Sequence, residues 1–192
     1  METQRFRDTI SVANYRENIV ASSLARTFRM CLNLTPFEKT QTFRSSFDYL
    51  LFDPLGDKPS MKIEQQDSWQ IHSEKDSSFC IELLTYTSSG KTAGKLSVCD
   101  ADYFNIVAPN IEKLYLIKFN RLKDYIIYLE DQDALNIYDS FSSIEDWKKK
   151  HDTNPVKLCY LDIMQCLYDL KGSIEVYSFT DLGIHQTLPK TI

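Results

Sequence analysis

The sequence is short of turn and hinge residues. Its 192 positions include only 5 Gly and 6 Pro, too few for flexible linkers or low-complexity tracts, and this excludes general disorder. Tryptophan and histidine are scarce, at 2 and 3, and His72, His151 and His185 are far apart with no motif between them, so the sequence does not favour a histidine-built centre. Cys31, Cys80, Cys99, Cys159 and Cys166 form no C-x-x-C pair and are odd in number, which favours free thiols in a reducing cytoplasm over a disulfide framework or zinc site. No apolar run approaches the about 20 residues that span a membrane, and METQRFRDTISVANYRENIV is too evenly charged for a secretory signal. A soluble, cytoplasmic protein with no membrane partner is expected. Basic charge is in deficit as well: 22 Lys and Arg stand against 27 Asp and Glu, a formal net charge of −5. A generally basic nucleic-acid coat is excluded, so a polyanion would have to be held by a local patch or by metal ions.

The chain does have a core. It is 43% hydrophobic and 12% aromatic, enough for about one domain. Val20, Leu24, Phe28 and Cys31 fall at helical spacing and predict a helix over 10–31, stopped by Asn33 and Pro36, with 34–46 a polar loop. Strands are predicted at 47–52 (FDYLLF), 60–67 (SMKIEQQD) and 79–86 (FCIELLTY), most simply as an antiparallel meander, then at 103–108 and 113–119. A helix follows from Asn120. Beyond residue 130, SSIEDWKKKHD reads as a capped helix, VKLCYLDIMQCLYDL as a buried helix or a strand running into one, and IEVYSF as a last strand. The expected fold is α/β or α+β, a single mixed sheet of about five strands flanked by helices. Residues 1–130 form the core, and 131–192 are an extension packed on it.

Acids recur within the apolar elements. Glu17 borders the buried stripe of the first helix, Asp48 shares a strand face with Leu50 and Phe52, Glu64 lies mid-strand, and Glu82 is flanked by Ile81 and Leu83. A carboxylate there needs a partner or a metal. Each has a bland reading too: a helix-dipole partner, an edge-strand start, a solvated face, a cross-strand lysine pair.

An acid on the opening helix, an Asp on the first strand and Glu-x-Gln on the next resemble the PD-(D/E)XK nuclease superfamily, more narrowly its compact Holliday-junction-resolvase-like branch, which includes many phage-encoded proteins. The resemblance runs from about Arg16 to Ile126, through RENIVASSL, FDYLLFD, KIEQQD and FCIELLTYTSSGKTAGKLSVCDADYFNIV. It implies a restriction-endonuclease-like core and hydrolysis of DNA phosphodiesters with Mg²⁺ or Mn²⁺. Glu17, Asp48 and Glu64 would be metal ligands, the carbonyl of Gln65 would complete the sphere, and Asp48, Glu64 and Gln66 would form the catalytic set. Metal held by hard carboxylate oxygens lowers the pKa of a bound water and neutralises phosphate charge.

Gln66 occupies the family's lysine position and brings no positive charge. Lys62, on the same strand face, and Lys91, in the following loop, are the candidates for a displaced cation. The resemblance also implies a homodimer, since two strands must be cut. Two further readings stay open: an inactive nuclease fold that binds nucleic acid or protein, and an acidic DNA mimic that docks on a host protein. SSGKT lacks the first glycine of a phosphate-binding loop. WKKKHD, the only concentrated basic patch, reads first as a solvated helix face and second as a phosphate contact.

Overall fold

The computed structural model describes residues 2–34, 47–73, 75, 77–139, 143–151, 154–185 and 188. The loop expected at 34–46 lies outside the described residues beyond Leu34, as do Ser142, Asp152 and the side chains of Lys148, Lys149 and Lys150. The fold is α+β, with a mixed sheet flanked by helices.

Helix α1 (Glu2–Phe28) begins earlier than the apolar stripe predicts. It ends where Arg29 turns to a left-handed φ of 53°, so that the Met30 amide reaches back to the Ala25 carbonyl at 2.8 Å, the six-to-one closure of a helix terminus. Its buried face, Val20, Ala21, Leu24 and Ala25, packs on Tyr49, Leu51, Ile63, Leu114 and Leu116. These belong to a six-stranded sheet ordered β1 (Cys31–Asn33), β2 (Tyr49–Phe52), β3 (Met61–Asp67), β6 (Tyr103–Ala108), β7 (Lys113–Lys118) and β10 (Ile174–Ser178). β3 and β6 run parallel, and the other neighbours are antiparallel.

The other face of this sheet meets a second one. β5 (Gly90–Ala93), β4 (Ser78–Thr87), β9 (Val156–Asp162) and β8 (Asn136–Tyr138) form a four-stranded antiparallel sheet. Phe104, Ile106, Tyr115 and Ile117 of the first sheet and Phe79, Ile81, Cys159 and Leu161 of the second share one core, with α3 (Phe119–Asp131) and α5 (Ile163–Asp169) packed into it. Double coverage explains why YFNIVA and LYLI are continuous apolar runs rather than alternating ones.

The single-sheet expectation therefore needs revision in its strand pairing. FCIELLTY is not the third strand of a meander; it leaves the first sheet and pairs with VKLCYLD, far along the chain. Its place beside β3 is taken by β6. Residues 131–192 supply strands to both sheets: β8 and β9 to one and β10 to the other. Asp162 caps α5 by accepting the Gln165 amide at 2.8 Å, which makes VKLCYLDIMQCLYDL a strand running into a helix. Ser143 caps α4 (Ile144–His151) through the Asp146 amide at 3.1 Å. All five cysteines are free thiols. No helix among the described residues is long and apolar enough to cross a membrane.

Candidate metal centre

The β2–β3 ladder stops at Tyr49–Ile63, and polar groups gather where it stops. The Asp48 amide still reaches the Ile63 carbonyl at 2.9 Å, but the next ladder donor, the Gln65 amide, is taken by Asp48 Oδ2 at 2.8 Å. The Asp48 carboxylate thus continues the line of the ladder. From α1, Glu17 hydrogen-bonds Asp48, with Asp67 and Glu64 also close enough to act on its charge. Burial first, then the Asp48 carboxylate, push the Glu17 carboxyl up to about 9. The pair accordingly holds a proton that a lone carboxylate would release.

Glu64 is 4% exposed and forms an ion pair with Lys95, the first residue of the short helix α2 (Lys95–Val98). Burial works against the Lys95 charge, yet Glu64, with Asp48 behind it, more than offsets this and holds the ammonium above its ordinary range. Gly94 makes that reach available. A Cβ there would lie 2.6 Å from the Leu83 carbonyl carbon, so only glycine lets the chain turn into α2 against β4.

Of the residues singled out in the sequence, Glu17 and Asp48 hydrogen-bond each other, Glu64 lies near enough to act on the Glu17 charge, and Gln66 and Glu82 are engaged elsewhere. Gln66 donates from Nε2 to the Cys80 carbonyl at 2.7 Å, tying the two sheets together. Glu82 accepts from the Thr85 hydroxyl. Neither displaced-cation candidate serves the cluster: Lys62 pairs with Asp100 at 2.6 Å, and Lys91 lies over the Tyr86 ring at 5.4 Å. Glu64 pairs with Lys95, the residue just after Gly90-Lys91-Thr92-Ala93-Gly94. A second Gly-Lys at 94–95 was the available signal, but its meaning depends on the hairpin that folds Gly94 onto β4.

Asp67 was also missed. It sits on the α1 side of β3, paired with Arg16 at 2.6 Å, whose guanidinium lies 5.2 Å from the Trp69 ring centre. Burial lifts the Asp67 carboxyl above its usual value although Arg16 pulls the other way. Beside it, Gln65, Tyr49 and Asn105 hydrogen-bond one another at 3.2–3.4 Å.

No protein-family model matches the chain, and neither does any curated protein. A solved structure of a bacterial homing endonuclease is similar over 58% of this chain and 72% of its own, at 16% identity and a TM-score of 0.37. What the site can do chemically is therefore read from its own residues. Three carboxylates with hard oxygen donors suit Mg²⁺, Mn²⁺ or Ca²⁺. As they stand, no three such side chains among the described residues are drawn together closely enough to hold an ion; Glu64 is engaged by Lys95, and Glu17 by Asp48.

Proposed function

We propose that the chain is a metal-dependent nuclease that hydrolyses DNA phosphodiesters, with Glu17, Asp48 and Glu64 as the residues that would hold Mg²⁺ or Mn²⁺. One observation supports the reading: at the end of a strand ladder Glu17 of α1 hydrogen-bonds Asp48 within the field of Glu64 on β3, and Glu64 pairs with Lys95. Carboxylates held in one another's field raise the cost of burial, and such arrangements cluster at functional sites. When bound, the metal would supply an acidified water and positive charge for the phosphate. Lys95 stands beside Glu64 as the cation that Gln66 does not provide, placed to stabilise charge developing on the phosphate and to orient the attacking water. Two such sites are needed to cut both strands of a duplex, so a homodimer belongs to this reading.

The test is cleavage of plasmid and branched DNA with Mg²⁺ or Mn²⁺ by the wild type, Glu64→Ala and Lys95→Ala. Cleavage is expected from the wild type alone. Equal cleavage by the wild type and Glu64→Ala, or none by either at high protein concentration, sinks the enzymatic reading. The Lys95–Glu64 ion pair favours one second reading, a fold that keeps the site closed and acts by binding DNA or a protein. It predicts DNA association that Mg²⁺ does not change.

A further inference from the structure

On the Glu64 side, toward the starting ends of β3 and β6, lie three lysines. Lys95 holds Glu64. Lys62 of β3 places Nζ 2.6 Å from Asp100 Oδ2, and Lys123 of α3 donates from Nζ to the Cys99 carbonyl at 2.9 Å. The segment they meet is fixed. Asp102 accepts the Lys62 amide on Oδ2 at 2.8 Å and donates its own amide to the Lys62 carbonyl at 2.8 Å. Its carbonyl accepts the Phe119 amide at the start of α3 at 2.9 Å. Aromatic rings restrict both ammonium groups, Phe47 at 5.8 Å from Lys62 and Phe119 at 4.4 Å from Lys123. Asp100 lies in the field of both lysines: the Lys62 hydrogen bond first, and Lys123 less, hold its carboxyl below the usual range. Its side chain is 74% exposed, so this ion pair is easily given up to a competing anion.

We infer that Lys62 and Lys123 form a phosphate clamp for a DNA strand entering the candidate metal centre, with the Asp100 carboxylate standing where a backbone phosphate oxygen sits in the complex. The inference rests on the nuclease reading for its substrate. Its chemistry is its own: on a rigid segment the Asp100 carboxylate already pairs with the Lys62 ammonium beside the Cys99 carbonyl that holds Lys123, and a phosphate offers the same oxygen without the tether. In a chain of net charge −5, such a patch gives a polyanion a way past the carboxylates.

The test is fluorescence anisotropy of a labelled DNA duplex against protein over a range of KCl, with Ca²⁺ in place of Mg²⁺. Lys62→Ala and Lys123→Ala are each expected to bind several-fold more weakly and to flatten the dependence of log affinity on log salt by about one. Asp100→Asn, which breaks the same ion pair as Lys62→Ala, is expected to bind more tightly. Asp131→Asn, at the far end of α3 about 12 Å along the helix from Lys123, is the charge-matched control and should change affinity less. A merely structural pair would give Lys62→Ala and Asp100→Asn the same sign. The clamp is overturned by that result, by unchanged slopes in the lysine variants, by an equal gain in Asp131→Asn, or by no binding of the wild type. Cleavage with Mg²⁺ is scored separately. A wild type that cuts while the lysine variants bind as it does removes the clamp and leaves the nuclease; opposite-signed binding without cleavage does the reverse.

Discussion

Two polar clusters meet β3 within a few residues of each other, and they are built on opposite principles. On the α1 side, Asp67 has Arg16, and Gln65, Tyr49 and Asn105 bond one another: one anion, one cation and three neutral groups. Where the β2–β3 ladder ends, Glu17 hydrogen-bonds Asp48 and is pushed up to about 9, and Glu64 pairs with Lys95. The first cluster is what a buried strand needs to satisfy its polar side chains and fix its register. The second places three carboxylates within one another's field, the arrangement on which the proposed metal site rests. Burial alone does not separate the two, since Glu64 and Gln65 are both buried. The charge balance around each does.

The sharpest way to break that comparison is to remove one member of each cluster and read both activity and stability. Glu64→Ala takes a proposed ligand from the charged cluster. Cleavage should fall by about 10²–10³-fold, the loss typical of removing one transition-state stabilising group, while the urea midpoint moves little because Lys95 can turn to solvent. Arg16→Met should do the converse. It leaves Asp67 buried without its cation, at a cost of about 3–5 kcal/mol seen in urea unfolding, and the protein that remains folded should cut at nearly the wild-type rate. A variant pair in which both fall together in activity would merge the clusters into one site.

The strand that carries both clusters was legible, as were all three acids of the second cluster, but Asp67 of the first was not. Glu17, Asp48 and Glu64 stand out because a carboxylate at an apolar position violates a short local period, and local periods are what a sequence displays. Lys95 was not legible for a different reason. It reaches Glu64 only because Gly94 touches the β4 backbone at Leu83, and β4 lies there only because it pairs with β9 about 80 residues later. The apolar run FCIELLTY specifies a strand but not its partner, so the second sheet, and with it the lysine, was hidden. Gln66 misled for the same reason: its alternation places it beside Glu64, but the sheet stacked over that face takes its amide.

Gly94→Ala tests that dependence directly. A Cβ 2.6 Å from backbone atoms of Leu83 cannot be relieved by rotating a side chain, so α2 must shift, at a cost of about 1–3 kcal/mol by urea unfolding. If Lys95 serves the charged cluster, cleavage by the folded fraction falls as well, close to the level of Lys95→Ala. If α2 is only a connector, stability falls and cleavage by the folded fraction holds.

The smallest effect is the most specific to an over-charged site. Glu17 is held at about 9 in the folded chain against an ordinary 4.5, so between those values the folded state binds more protons than the unfolded one, and stability declines as pH rises across that window. Asp67, lifted by burial, adds to the same slope at its lower end. Glu17→Gln removes the larger part. In metal-free protein it should gain about 1 kcal/mol near pH 8 and almost nothing near pH 4, measured by urea unfolding at each pH. Mg²⁺ should flatten the wild-type slope and leave the variant's unchanged, because a cation and a proton compete for the same carboxylates. A Glu17→Gln variant that is less stable than the wild type near pH 8 would place Glu17 with Asp67 among the balanced, structural groups and end the distinction between the clusters.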